Sequence, residues 1–149
     1  MVWSKRAASC RCPEISAEVR DLKKKLLISI IDDDESIRIA TSSLIRSLGW
    51  ETQLYSSAEQ FLASGSFGDV TCVISDLKMP GMCGIEMYRH LLGTGFRCPM
   101  IFISAFISEK VRNQAHQLGA LCVLAKPVNA AELSRLLEGI KSVCSDATT

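Results

Sequence analysis

Five short apolar runs, each followed by a segment of helical period, constrain this chain more than any other feature. The runs cover residues 26–31, 50–55, 70–75, 100–103 and 121–125, and most are rich in Ile, Val and Leu. A run that is apolar at nearly every position suits a strand buried on both faces, as in a parallel sheet covered by helices. Strict strand–helix alternation predicts an α/β fold, a five-stranded parallel doubly wound sheet. Right-handed crossovers leave few strand orders. No longer repeat competes with this reading.

The intervening segments carry helix signals. Ile37, Ala40, Leu44, Ile45 and Leu48 predict the apolar face of a helix that Gly49 stops. Ser57-Ala58-Glu59-Gln60 fits a capping box, with Phe61 and Leu62 as the buried residues behind it. Helices are expected over 85–92 and over 109–118, the latter stopped by Gly119. Asn129 is placed to cap a last helix, with Glu132 three residues on and Leu133, Leu136, Leu137 and Ile140 on its apolar face. Residues 1–12 show no period, whereas Ile15, Val19 and Leu22 predict a short helix over 13–24. The expected organisation is an extension over 1–24, one domain over 25–142 and a polar tail over 143–149.

Charge and cysteine usage exclude several classes. Residues 1–25 hold seven Lys or Arg against three Asp or Glu, yet the whole chain nets only +1, so the main body is mildly acidic. It offers no broad basic surface, and no direct nucleic-acid binding is expected. No run reaches the roughly 18 apolar residues of a membrane span, so no membrane partner is expected. Of the seven cysteines, Cys72 and Cys122 sit in apolar runs as small hydrophobes. That usage suggests the reducing cytoplasm. Cys10-Arg11-Cys12 has one intervening residue and no second pair, which argues against a zinc site.

Parallel strands bring all their C-terminal ends to one edge. Here that edge collects Asp32 and Asp33 after the first run, Asp76 after the third, Ser104 after the fourth and Lys126 after the fifth. Three carboxylates alone repel one another. A hard divalent cation removes the conflict, and Mg²⁺ commonly binds beside a phosphoryl group through one or two carboxylates and retained waters. Lysine offers a point charge and serine a donor to phosphoryl oxygens. A carboxylate nucleophile, a metal, a lysine and a hydroxyl are the parts of phosphoryl transfer to Asp. Asp34 and Glu35 are read instead as residues favouring the positive end of the following helix. His90 and His116 lie on helices away from the strand ends.

Ile31-Asp32-Asp33-Asp34, Arg38, Asp76-Leu77-Lys78-Met79-Pro80, Gly84, Ser104-Ala105 and Lys126-Pro127 stand in this order and spacing over roughly residues 25–142. In this the chain resembles the receiver domain of two-component response regulators, which has a flavodoxin-like fold. The Asp-Leu-Lys-Met-Pro segment with Gly84 is most similar to the branch that precedes a helix-turn-helix domain. No such domain follows in this sequence, so it reads as a single-domain regulator or an excised receiver.

The resemblance implies a signalling domain rather than a turnover enzyme. Asp76 is implied as the phosphoacceptor and as part of the Mg²⁺ site, with Asp33 as the direct Mg²⁺ ligand, Asp32 as a ligand through water and the Lys78 carbonyl completing the shell. Ser104, the Ala105 amide and Lys126 are implied to hold the phosphoryl oxygens, and the peptide bond before Pro127 is expected to be cis. The implied donor is a sensor histidine kinase or a phosphotransfer protein. Homodimers are implied through the face formed by 109–118, 121–125 and 129–140. One departure stands out: where the family often has a Tyr or Phe switch, this chain has Val123, which has no ring to turn inward. Lys78 and Phe106 occupy the positions that tune water access, and neither can orient an attacking water, so slow self-dephosphorylation is expected. A haloacid-dehalogenase-type phosphatase, which also uses Asp-x-Asp after a strand, is an alternative. A receiver-shaped interaction module without phosphorylation is another.

Overall fold

The computed structural model describes residues 26–65 and 67–148. The expected helix over 13–24 and the Cys10/Cys12 pair lie outside the described residues. Strand and helix alternate throughout: β1 (Leu27–Ile31), α1 (Glu35–Ser47), β2 (Glu51–Tyr55), α2 (Ala58–Ser64), β3 (Cys72–Asp76), α3 (Gly84–Gly93), β4 (Met100–Ser104), α4 (Glu109–Leu118), β5 (Cys122–Ala125) and α5 (Ala130–Thr148). The strands form one sheet in the order β2-β1-β3-β4-β5, and every pairing is parallel. The chain runs outward from β1 to β2, then returns past β1 to β3. The direction of winding therefore reverses between β1 and β3, the switch point at which such sheets bind ligands.

Alternation along the strands divides the core between the two faces. Ile28 and Ile30 of β1, Ile74 of β3 and Ile101 of β4 point toward Ile45 of α1 and Leu133 of α5. Ile31, Val73, Phe102 and Val123 point the other way, under Phe61 of α2 and Tyr88 of α3. β3 and β4 are buried along their whole length, while the edge strand β2 has only exposed and half-buried residues.

Side-chain caps set where the helices begin. Asp34, Ser57, Ser108 and Asn129 each accept a backbone N–H three residues on, at 3.2, 3.0, 3.1 and 2.9 Å. Each bond satisfies one of the orphan donors of a first turn. The capping box at Ser57 is only half formed. Gln60 reaches back to the amide of Ser56 at 2.6 Å, one residue earlier than the motif predicts.

Two other expectations change. Ala40 is exposed, and Thr41 and Ser42 take buried places on α1. The Ser42 hydroxyl pairs with that of Thr52 on β2 at 2.7 Å, so a polar side chain is buried without an unmet bond, and the inward face is rotated from the purely apolar one. The last helix runs on to Thr148, through the stretch expected to be a polar tail; no Gly or Pro stands between Val143 and Thr148 to stop it.

Candidate functional site

The site lies at the C-terminal edge of the sheet, around the switch point. β1 stops at Ile31 because the next residues are carboxylates, and the Asp32 N–H still reaches the Tyr55 carbonyl of β2 at 3.1 Å. This leaves the Asp32 side chain wholly buried and Asp33 exposed. Asp76 is the last residue of β3 and is 5% exposed. Lys126 follows β5, and its N–H donates to the Ser104 carbonyl of β4 at 2.9 Å. From there its long stem crosses toward β3 and β1. The ammonium Nζ donates to Asp76 Oδ2 at 3.0 Å and stands 3.2 Å from Asp32 Oδ2. Asp32, Asp33 and Asp76 each contribute an oxygen to a cluster in which all lie within 4.8 Å of one another.

The electrostatics follow from burial and charge. Burial pushes the Asp32 carboxyl above the usual carboxylate range, the Asp34 N–H on Oδ1 pulls the other way, and the negative Asp76 pushes further up. For Lys126, burial favours the neutral amine, but Asp76 and Asp32 more than offset it, and the net shift is upward. One lysine against three carboxylates leaves two negative charges uncompensated. Asp32 Oδ2 is buried, and the contact it makes is the Lys126 ammonium at 3.2 Å. A buried carboxylate oxygen beside two further carboxylates is a donor set that suits a hard divalent cation.

The flanking loops hold these groups in place. Arg38 Nη1 donates to the Asp32 carbonyl at 2.7 Å, which ties α1 to the end of β1. The Lys78 N–H donates to Asp76 Oδ1 at 3.2 Å, while the Lys78 side chain is exposed. Leu77 N–H bonds to the Ile103 carbonyl and Gly84 N–H to the Leu77 carbonyl. A Cβ at Gly84 would lie 2.5 Å from the Asp76 carbonyl oxygen and 3.0 Å from Phe102, so only glycine allows α3 to start this close to the end of β3. The Lys126-Pro127 peptide is cis.

Ser104 stands at the same edge, 2% exposed, but its hydroxyl is turned to its own loop. It donates to the Phe106 carbonyl at 2.8 Å and accepts the Phe106 N–H at 3.2 Å. Ala105 is exposed, and the Phe106 ring is 78% exposed, so it stands in solvent rather than over the carboxylates. Val123 is buried opposite Phe102 and packs in the core beneath α2–α4. The fold thus brings the Asp32, Asp33 and Asp76 oxygens within 4.8 Å of one another and sets the Lys126 ammonium against Asp76 and Asp32. It sets Ser104 nearby with its hydroxyl engaged elsewhere, and places Val123 within the core.

Two acidic residues make contacts in the β3–α3 loop that the sequence reading did not assign. Glu59 Oε2 accepts the Met82 N–H at 2.9 Å, and Glu86 Oε1 accepts the Cys83 N–H at 3.1 Å. Glu86 could be found as the third residue of a helix after a Pro-Gly loop. Glu59 makes a contact across 23 residues of chain, which no local pattern reveals.

Known proteins share this pattern. The sequence profile described as the response regulator receiver domain matches residues 28–138. The response regulator protein TodT of Pseudomonas putida is 36% identical over 107 residues, which covers 72% of this chain and 47% of TodT. The transcriptional regulatory protein FixJ of Azorhizobium caulinodans is 30% identical over 112 residues, 75% of this chain and 53% of FixJ. The chain therefore spans about half the length of these curated relatives. Among solved structures, a CheY-like response regulator receiver domain protein from Methanospirillum hungatei superimposes with a TM-score of 0.71 at 25% identity, covering 82% of this chain and 98% of that one. Profile, relatives and fold agree, and the chain belongs to the response regulator receiver domain family.

Proposed function

We propose that this chain receives a phosphoryl group on Asp76 from the phosphohistidine of a sensor histidine kinase or a phosphotransfer protein, with Mg²⁺ as cofactor. The observation that carries the reading is the cluster of Asp32, Asp33 and Asp76 oxygens with the Lys126 ammonium on Asp76. In the reaction an Asp76 carboxylate oxygen attacks phosphorus, a P–O bond forms, and the P–N bond to the donor imidazole breaks with its electron pair going to nitrogen. Lys126 orients the carboxylate and then pairs with the phosphoryl oxygens. Asp33, Asp32, Asp76 and the Lys78 carbonyl would hold Mg²⁺, which would neutralise charge on the transferring group. Ser104 and the Ala105 amide would bond the remaining phosphoryl oxygens.

The Ser104 hydroxyl has one hydrogen to donate, and it now serves Phe106. Serving a phosphoryl oxygen means releasing the Phe106 carbonyl. This gives a route from the site to the β4–α4 loop that does not need a ring at Val123. The face of α4, β5 and α5 is the proposed dimer surface. Leu121 is 45% exposed at its edge strand, and Lys110, Arg112, Glu132, Arg135 and Glu138 are all exposed around it. Such surface charges are individually weak, so pairing should be salt-sensitive; sedimentation with and without phosphodonor reads it, and a monomer in both contradicts it.

Intact mass after incubation with a small phosphodonor tests the central reading. Wild type should gain roughly 80 Da, the mass of one added PO₃ group, only with Mg²⁺ present, and Asp76→Asn should gain nothing. An adduct that survives in Asp76→Asn rules out Asp76 as the acceptor.

A further inference from the structure

We infer that Glu59 is a positioning residue for the phosphoacceptor site, clamping the β3–α3 loop from the first turn of α2 by accepting the Met82 N–H. The inference rests on the proposed role of Asp76 and Mg²⁺ and adds a residue that lies outside the cluster. Glu59 belongs to the Ser57–Gln60 segment that caps α2, yet the cap uses Ser57 and Gln60, and the Glu59 side chain is left to reach across to the other loop.

Three observations support a built contact. The Glu59 Oε2 to Met82 N distance is 2.9 Å. Gly81 has φ +81, a conformation that favours glycine, and Glu59 Oε2 lies within 2.6 Å of where a Cβ at residue 81 would stand, so in this pose the carboxylate fills space that a side chain would contest. The Met82 N–H and Glu59's own backbone N–H both lower the Glu59 carboxyl below its usual range, as expected where backbone donors meet the charged form.

The position of the contact gives it leverage. Leu77 and Lys78 are held to β4 and to Asp76, and Cys83 and Gly84 are held by Glu86 and Leu77. Across residues 79–82, the Met82 bond to Glu59 is the one hydrogen bond to another element among the described residues. Lys78 opens this loop, with its N–H on the Asp76 carboxylate and its carbonyl as a proposed Mg²⁺ ligand. A loop fixed at Met82 restricts both groups, and a loop freed there lets both drift. Geometry of this kind sets metal affinity without any direct contact between Glu59 and the metal.

The test follows the Met82 amide by hydrogen exchange and titrates Mg²⁺ into the unphosphorylated protein, for wild type, Glu59→Ala and Glu59→Gln. Glutamine keeps an acceptor oxygen and alanine does not. Glu59→Ala should speed Met82 exchange and raise the half-saturating Mg²⁺ by roughly two- to tenfold, the range that one lost hydrogen bond spans. Glu59→Gln should stay close to wild type in both. A purely structural role would lower the melting temperature of Glu59→Ala and leave the Mg²⁺ midpoint in place, which overturns the inference. Equal losses in both variants also overturn it, since charge and not the hydrogen bond would then be at work. A wild type that binds no Mg²⁺ overturns the phosphoacceptor reading itself and this inference with it.

Discussion

The two faces of the sheet are packed with different side chains. Beneath α1 and α5 the core is mainly aliphatic, with Ile28, Ile30, Ile74, Ile101, Ile103 and Leu137 fitted together beside Trp50 and Cys72. Beneath α2, α3 and α4 it is aromatic and sulfur-rich, with Phe61, Tyr88, Phe102, Met87 and Met100. Tyr88 and Phe102 meet edge to face at 5.9 Å, as do Tyr55 and Phe61 at 5.1 Å. The aliphatic layer underlies β1, β3 and β4, whose C-terminal ends carry the site. The aromatic layer touches it directly, because Phe102 lies against Gly84, and Gly84 lies against the Asp76 carbonyl. One face therefore sets how firmly the sheet is held, and the other sets the shape of the loop that presents Asp76.

Truncation on the aliphatic face should produce the largest loss of stability. Ile101 is fully buried there, and Ile101→Ala is expected to cost about 2–5 kcal/mol in urea unfolding. The Mg²⁺ midpoint of the molecules that remain folded should not move. Gly84→Ala is the counterpart on the aromatic face. Its added Cβ meets two backbone atoms, the Asp76 carbonyl oxygen at 2.5 Å and the Leu77 Cα at 3.3 Å, so the chain must shift. Overpacking of this kind costs about 1–3 kcal/mol, and here Mg²⁺ affinity should fall as well. If Ile101→Ala weakens Mg²⁺ binding as much as Gly84→Ala does, the division between the faces is broken.

A pair of neighbouring carboxylates sharpens the comparison at the edge where the faces meet. Asp33 belongs to the oxygen cluster, and Asp34 caps α1 by accepting the Ile37 N–H. Asp33→Ala should abolish measurable Mg²⁺ affinity. Asp34→Ala should cost about 1 kcal/mol of stability, as lost caps do, and leave Mg²⁺ binding nearly unchanged. Paired Mg²⁺ titrations and urea curves read both, and equal Mg²⁺ losses would contradict the assignment.

The sequence made the alternation, the parallel sheet and the strand-end cluster legible because each depends on local period or on a residue next to a strand end. The burial of β3 and β4 along their length can be read from Val70 to Ser75 and from Met100 to Ser104 alone. Less legible were contacts in which a polar group on one element satisfies a group on a distant one. Ser42 is inward because Thr52 waits for it, Gln60 caps Ser56 instead of Ser57, and Glu59 serves an amide on another loop. The state of Ser104 was equally hidden. Its placement at a strand end is a sequence fact, but its donation to Phe106 depends on the turn the loop takes.

The smallest expected effect concerns titration on the aromatic face. Tyr88 is 4% exposed, between Phe102 and a surface groove that Arg97, Cys98 and Leu118 also line. Burial raises its phenol above the ordinary value of 10.0; the nearby Cys98 adds to the rise, and Arg97 opposes it. The folded protein therefore keeps its proton at a pH where the unfolded chain has begun to lose it. In that window the folded state binds more protons, so stability falls as pH rises. The contribution is fully present below about pH 10, the unfolded phenol's range, and is lost as pH climbs through the folded value. Tyr88→Phe keeps the ring and its edge contact to Phe102 and removes the proton. Urea unfolding between pH 8 and pH 11 should show the wild-type and Tyr88→Phe curves diverging as pH rises, with wild type losing more. Parallel curves would mean that the phenol titrates alike in both states, and that the aromatic face is wetter around Tyr88 than its burial indicates.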